Sequence, residues 1–357
     1  MESVEPTPKR LDEWLGTQPH KWFPGGENYA NRFTTIASEI KKIAREIDRA
    51  ALVAELRKEK TPIEDVVYLT HHGPDHVENV IRRASDLVLS SGSMVSPYEA
   101  YLLLVGILIH DIGLIHGRAG HAAECRRMLW ELGDKVGDDT PEKQVIADIA
   151  CAHSDGVSGD RDTIGRLEPA CYTLGCMVRP QLLAAVLRFA DELADDKSRA
   201  SRFLIEQRLI TKRSEVFHAY SNCLHSVVVA GRGVSLIFYL TDNEALKLYG
   251  KGDGETYLLE EILERSLKMH LERVYCMRFF PPDHRVDRID VKIEVAGSRI
   301  DSFLHVLDTI TYRLTDGGYP NPPTGGIYTL CPSLQGRADE CRRKLAEARR
   351  EREDDKV

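Results

Sequence analysis

The sequence predicts a mainly α protein, a helical bundle followed by a smaller α+β domain. Three observations carry this. Between about residues 28 and 205, apolar residues recur at helical spacing in segment after segment. Past about 205 the texture changes to alternating, β-branched runs around short glycine turns. The helical part also gathers His71, His72, His76, His110, His116, His121 and His153, seven of the chain's thirteen histidines.

Taken in order, residues 1–27 hold four prolines and two tryptophans and read as an irregular lead-in, packed through Trp14, Trp22 and Phe23. From Asn28 to about Lys60, Phe33, Ile36, Ile40, Ile43, Ile47 and Leu52 mark a packing helix. Val77, Val80, Ile81, Ala84, Leu87 and Val88 mark the next, opened by Pro74-Asp75 with His76 at the edge of the stripe. After the loop 91–97, Tyr98 starts a helix that closes on His110-Asp111. Glycines 113, 117 and 120 loosen the chain around His116 and His121, and residues 121–132 resume as helix. In the helix 144–156, Val145, Ile149 and His153 are spaced by four, so the histidine points where the apolar residues point. In the helix 181–196, Leu183, Leu187 and Asp191 repeat that spacing. A carboxylate on an apolar face costs several kcal/mol unless it is paired or bound to a cation.

Beyond 205, residues 225–240 read as a hairpin, about 255–276 as a helix, 287–296 as a strand and 301–314 as a helix. Residues 316–326 have linker composition, and 336–357 read as a charged, solvated terminal helix or frayed tail. The expected domains are an N-terminal segment (1–27), a helical metal-binding domain (28–205), an α+β accessory domain (206–318) and a linker with tail (319–357).

Composition narrows the function. With 42% hydrophobic and 29% charged residues the chain is an ordinary globular protein. The apolar run Tyr101–Ile109 is shorter than the roughly 20 residues a bilayer span needs, and residues 1–14 lack the apolar stretch of a secretory signal. The expectation is therefore a cytoplasmic protein with no membrane partner, its eight scattered cysteines reduced. A net charge of −8 argues against a general nucleic-acid binder and for a small phosphorylated substrate met by a divalent cation.

The residues to combine are His76, His110, Asp111 and Asp191, imidazole and carboxylate ligands from well-separated helices. His121 and His153 are candidates for a second ion. Metal identity stays open among Mn, Fe, Ni, Co, Mg and Zn. Asp155 and Glu192 could steady the ligands, Arg82, Arg118 and Arg199 could clamp phosphate, and His116 reads as a loop residue.

The order His76 … His110-Asp111 … Asp191 resembles the H…HD…D signature of the HD superfamily of metal-dependent phosphohydrolases, over roughly residues 65–205. HVENV (76–80), HDIG (110–113), HSDG (153–156) and FADELAD (189–195) are similar to its motifs. HGPDH (72–76) resembles the H-x-x-x-H of cyclic-nucleotide phosphodiesterases, where the first histidine protonates the leaving oxygen and the second binds metal. His121 and His153 are similar to the extra histidines of two-metal branches. Leu114 in place of a lysine, and Gly318-Tyr319-Pro320 far from the later histidine, set the chain apart from the HD-GYP branch. The resemblance implies hydrolysis of a nucleotide phosphoester or phosphoanhydride by a metal-bound hydroxide, with His72 as general acid, Asp111 in the catalytic centre and one or two divalent ions. It leaves open an HD nuclease on single-stranded nucleic acid, a nucleotide-sensing HD module in bacterial signalling or conflict, and a two-iron oxygenase. The C-terminal domain is expected to shape specificity, bind a regulator or mediate homo-oligomerisation.

Overall fold

The computed structural model describes residues 10–57, 74–90, 92–116, 121–133, 140–154, 160–195, 212–297, 305–316 and 326–354. The chain divides into two compact units. The first comprises 1–67, 71–194 and 276–285; the second comprises 68–70, 195–275 and 286–357. The domain boundaries expected near 205 and 318 lie outside the described residues.

The first unit is a helical bundle: α1 (Leu11–Gly16), α2 (Tyr29–Arg57), α3 (Pro74–Leu89), α4 (Pro97–Ile109), α5 (His121–Glu131), α6 (Thr140–Cys151) and α7 (Pro180–Leu193). A two-stranded hairpin, β1 (Cys171–Thr173) with β2 (Cys176–Val178), precedes α7. Helix α4 is the centre. It is apolar all round, as a helix enclosed on every side must be, and touches α1, α2, α3, α6 and α7. Pro97–Leu114 has the length and the mean hydropathy, 1.3, of a membrane span, and 89% of it is buried inside the protein. Gly106 lets α6 approach closely, since a Cβ there would lie 3.2 Å from Ile149 Cγ2.

Helices α4, α6 and α7 have nearly equal lengths of 13, 12 and 14 residues and are tied together at their starts. Ser96 and Glu99 form a capping box at the start of α4. Glu99, 2% exposed, also receives Arg179, the residue before α7, with Nη2 at 2.7 Å and Nε at 2.9 Å. Tyr98 donates to Glu142 Oε2 near the start of α6 at 2.8 Å, and Arg32 of α2 pairs with the same carboxylate. Helices of matched length that start together also end together, which brings His110-Asp111, His153 and Asp191 to one level. Removing the Ser96 hydroxyl, which accepts from Glu99 N–H, should cost about 1 kcal/mol. Ser96→Ala is therefore expected to lower the unfolding free energy measured in urea by that amount, seen as a lower midpoint with an unchanged slope.

The lead-in differs from the irregular segment expected. Leu11 and Leu15, one turn apart, bury the short helix α1, and Leu11 N–H donates to Ser85 Oγ of α3 at 2.8 Å. Phe23 packs and stacks on Tyr29, with centroids 5.1 Å apart, whereas Trp22 is 57% exposed.

The second unit contains α8 (Glu215–Cys223), β3 (Leu224–Ala230), β4 (Gly233–Thr241), α9 (Asp242–Leu246), β5 (Leu248–Lys251), β6 (Gly254–Tyr257), α10 (Leu258–Cys276), β7 (Arg288–Gly297), β8 (His305–Thr315), α11 (Ile327–Leu330) and α12 (Arg337–Asp354). Strands β3, β4, β7 and β8 form one sheet in that order. The β4–β7 pair is parallel, joined by a crossover that includes α10, and the outer pairs are antiparallel. Val234, Leu236, Phe238, Ile289, Val291, Ile293, Ile310 and Leu314 alternate inward and are buried. Tyr312 on the same face donates to Ser266 Oγ of α10 at 2.9 Å.

Two expectations are corrected here. The helix expected at 301–314 is strand β8 over its described part. Ile310, Tyr312 and Leu314 are buried while Thr309, Thr311 and Arg313 are exposed, a period of two. Spacings of four (Val306, Ile310, Leu314) fit either period, and the β-branched run Thr309–Thr311 with a pairing partner in β7 decides for the strand. The C-terminal tail is helix α12 with one buried face of Ala338, Cys341 and Leu345. Arg342 stacks over Tyr257 at 4.2 Å and pairs with Glu260.

Candidate metal centre

Four helix ends supply the site. His76 lies in the first turn of α3 and is 1% exposed. His110 caps the C-terminus of α4, fully buried, and Asp111 follows it at 8% exposure. Asp191 lies in the last turn of α7, its side chain 26% exposed, so the site is most open on that side. His153 comes two residues after α6 and is 7% exposed.

Their ligand atoms converge. His76 Nε2 is 3.1 Å from Asp191 Oδ1 and 3.6 Å from Asp111 Oδ2. His110 Nε2 is 3.2 Å from Asp111 Oδ2 and 3.7 Å from Asp191 Oδ1. Donors placed about 2.0–2.2 Å from one ion lie about 3–3.6 Å apart, so these separations suit a shared cation. Among the described residues, His76, His110 and Asp111 offer ligand atoms all within 4.8 Å of one another. His110 Nε2 and Asp191 Oδ1 are buried in contact with this cluster but without a well-aligned hydrogen bond. Such atoms are costly to bury unless something else satisfies them.

The imidazoles are held in the tautomer a metal needs. His110 Nδ1 donates to Ile107 O at 2.7 Å, and His153 Nδ1 donates to Ala150 O at 2.6 Å. With Nδ1 given to the carbonyl, Nε2 of each ring is the atom turned towards the site, where a cation would take its lone pair. Cys125 Sγ donates to His110 O at 2.8 Å and steadies the same turn. Asp111 faces two ways. Its Oδ2 meets His76 and His110, and its Oδ1 lies 3.6 Å from His153 Nε2. The geometry is that of a carboxylate shared between two positions.

The electrostatics agree with a cation-binding cluster. Burial disfavours charge on His110, but Asp111 and then Asp191 outweigh it and hold the imidazole well above the usual histidine range. Burial likewise pushes Asp191 up, and the close approach of His110 and His76 outweighs it, leaving the carboxyl well below the usual range. Without a cation, a proton therefore sits among two carboxylates. A divalent ion would displace it, and acid would compete with metal.

The remaining sequence candidates fall differently. His72 and Asp155 lie outside the described residues, as do Arg118 and Arg199. His121 begins α5 and His116 ends the turn Ile112–His116, but their side chains lie outside the described set. Arg82 is exposed on α3, and Glu192 is half-buried beside Asp191. Sequence reasoning missed Arg188, a buried arginine on α7 three residues before Asp191. An arginine inside the apolar stripe of that helix was the signal available.

A family model described as HD-CE matches residues 66–267, more than half of the chain. The chain belongs to the HD-CE family. It is an HD-type domain with a C-terminal α+β extension, and the match includes all five converging residues and continues into the second unit as far as α10. The comparisons with curated proteins and with solved structures give no match.

Proposed function

We propose that this HD-CE protein is a metal-dependent phosphohydrolase that cleaves a phosphoester or phosphoanhydride of a small nucleotide in the cytoplasm. One observation carries the reading: the convergence of His76 Nε2, His110 Nε2, Asp111 Oδ2 and Asp191 Oδ1 on one point at helix ends. These four would hold one divalent ion. His153, with Asp111 Oδ1 and His121, would hold a second. A bound ion supplies a Lewis acid that acidifies water and polarises a phosphoryl oxygen.

The protein's own groups do the rest. The Nδ1 anchors on Ile107 O and Ala150 O keep both imidazoles aimed with Nε2 towards the site. Asp191, the most exposed of the ligands, marks the side from which substrate enters. His72, four residues before His76, is the proposed donor of the leaving-group proton. The negative total charge favours a small phosphate-bearing substrate over a polyanion that needs a broad basic surface. Eight free thiols suit a reducing compartment.

The test is a panel of nucleoside mono-, di- and triphosphates, cyclic nucleotides and single-stranded oligonucleotides, incubated with Mn²⁺-loaded protein and read by phosphate release and chromatography. Turnover of a mononucleotide is the expected result. Cleavage confined to oligonucleotides would replace this reading with a nuclease, and oxidised products without hydrolysis would replace it with an oxygenase.

A further inference from the structure

His153 lies just past a loosely wound helix end. Helix α6 ends at Cys151, and the last backbone bonds are long, with Ala152 N to Asp148 O at 3.2 Å and His153 N to Ala150 O at 3.4 Å. Carbonyls at a helix C-terminus need outside partners. Ala152 O finds one in Thr163, whose hydroxyl donates to it at 2.8 Å. The same hydroxyl accepts from Arg188 Nη1 at 3.1 Å, and that nitrogen also reaches Arg161 O at 3.3 Å. Arg188 is 6% exposed and lies one turn before Asp191 on α7. A continuous chain, Arg188–Thr163–Ala152, thus joins the helix that bears Asp191 to the residue next to His153.

We infer that Arg188 and Thr163 are positioning residues that fix the His153 backbone against α7, and so set the affinity of a second divalent ion between His153 Nε2 and Asp111 Oδ1. The inference rests on the metal-site reading above and adds what selects one ion or two. The ring of His153 is oriented by its own bond to Ala150 O, but ring orientation alone does not fix its distance from Asp111. The Thr163 hydroxyl both gives and takes a hydrogen bond. Serine can do the same, and valine, of nearly the same shape, can do neither.

The experiment is a calorimetric titration of the metal-free full-length protein with Mn²⁺, for the wild type, His153→Ala, Thr163→Val, Thr163→Ser and Arg188→Lys, with melting curves as fold controls. Outer partners of metal ligands are worth about 10–100-fold in affinity. The expected result is two binding events in the wild type. His153→Ala abolishes the weaker one. Thr163→Val weakens it by about tenfold or more and leaves the tighter one within about threefold. Thr163→Ser keeps both, and Arg188→Lys repeats the selective weakening, so the outcome does not hang on one variant. A general structural defect would weaken both events together, and that result overturns the inference. So does a weaker event unchanged in Thr163→Val, or a wild type with no His153-dependent event. The last leaves the four-ligand site standing, whereas a wild type that binds no ion at all removes the metal reading itself.

Discussion

Replacing Asp111 with alanine is expected to abolish metal binding and to reduce turnover to background. Asp111 is the residue shared by both proposed positions, its Oδ2 towards His76 and His110 and its Oδ1 towards His153. Truncation removes one ligand from each position and half of the negative charge that draws a cation to a buried place. Residues that merely steady metal ligands are worth about 10–100-fold, so loss of a shared ligand should cost at least about a hundredfold in affinity. Elemental analysis of purified protein, wild type beside Asp111→Ala, measures this directly. Thermal melts with and without EDTA give a second reading. An ion that binds only the folded state stabilises it, so EDTA should lower the wild-type midpoint and leave Asp111→Ala unmoved. Metal retained in the variant would show that the ion, if any, sits elsewhere. Asp111→Asn, which keeps the shape and removes the charge, separates loss of the ligand from loss of packing.

The second large effect is a loss of stability on mild acidification that depends on His270. This histidine of α10 is fully buried in the second unit. Its Nδ1 faces Arg273 Nη2 at 3.4 Å, so the ring accepts and is neutral. Arg273 also donates to Val286 O at 2.8 Å and pairs with Asp316, which holds it in place. Burial first, and the Arg273 charge second, lower the His270 pKa to about 4, against the partial opposition of Asp316. The unfolded chain titrates near the ordinary value of about 6.5. Below that value the unfolded state binds a proton that the folded state refuses, so stability falls as pH drops towards about 4 and then levels for this group. Between about pH 7 and pH 5 the loss is about 2 kcal/mol. His110 contributes with the opposite sign in the metal-free protein, because its folded value is raised. His270→Leu isolates the effect. Urea unfolding at both pH values should show a smaller acid loss in the variant by about that amount, and equal losses in variant and wild type would rule the mechanism out.

Part of this protein was legible in its sequence, and the reason differs by residue. His76, His110, Asp111 and Asp191 could be singled out because each stands at an apolar helical stripe, where a polar group needs a reason. The longer bundle helices were legible from an apolar period of 3.6 or, in α4, from an unbroken apolar run, whereas the six residues of α1 were too short for either signal. Strand β8 was not, because spacings of four satisfy both periods and its partner β7 is a non-local fact. Helix α12 was legible as a helix but not as a packed one, since Ala338, Cys341 and Leu345 form a sparse stripe in a run of charges.

The sequence by itself determined the candidate ligand types and the helices that carry them, because both are written in local residue order. Only the tertiary structure decided that α4, α6 and α7 start together through Glu99, Arg179, Tyr98 and Glu142, and therefore end together at the site. It alone placed Thr163 between Ala152 and Arg188 and turned the two oxygens of Asp111 to different histidines. Those contacts join residues far apart in the chain, and no local pattern encodes a distance that is set by how three helices of matched length pack.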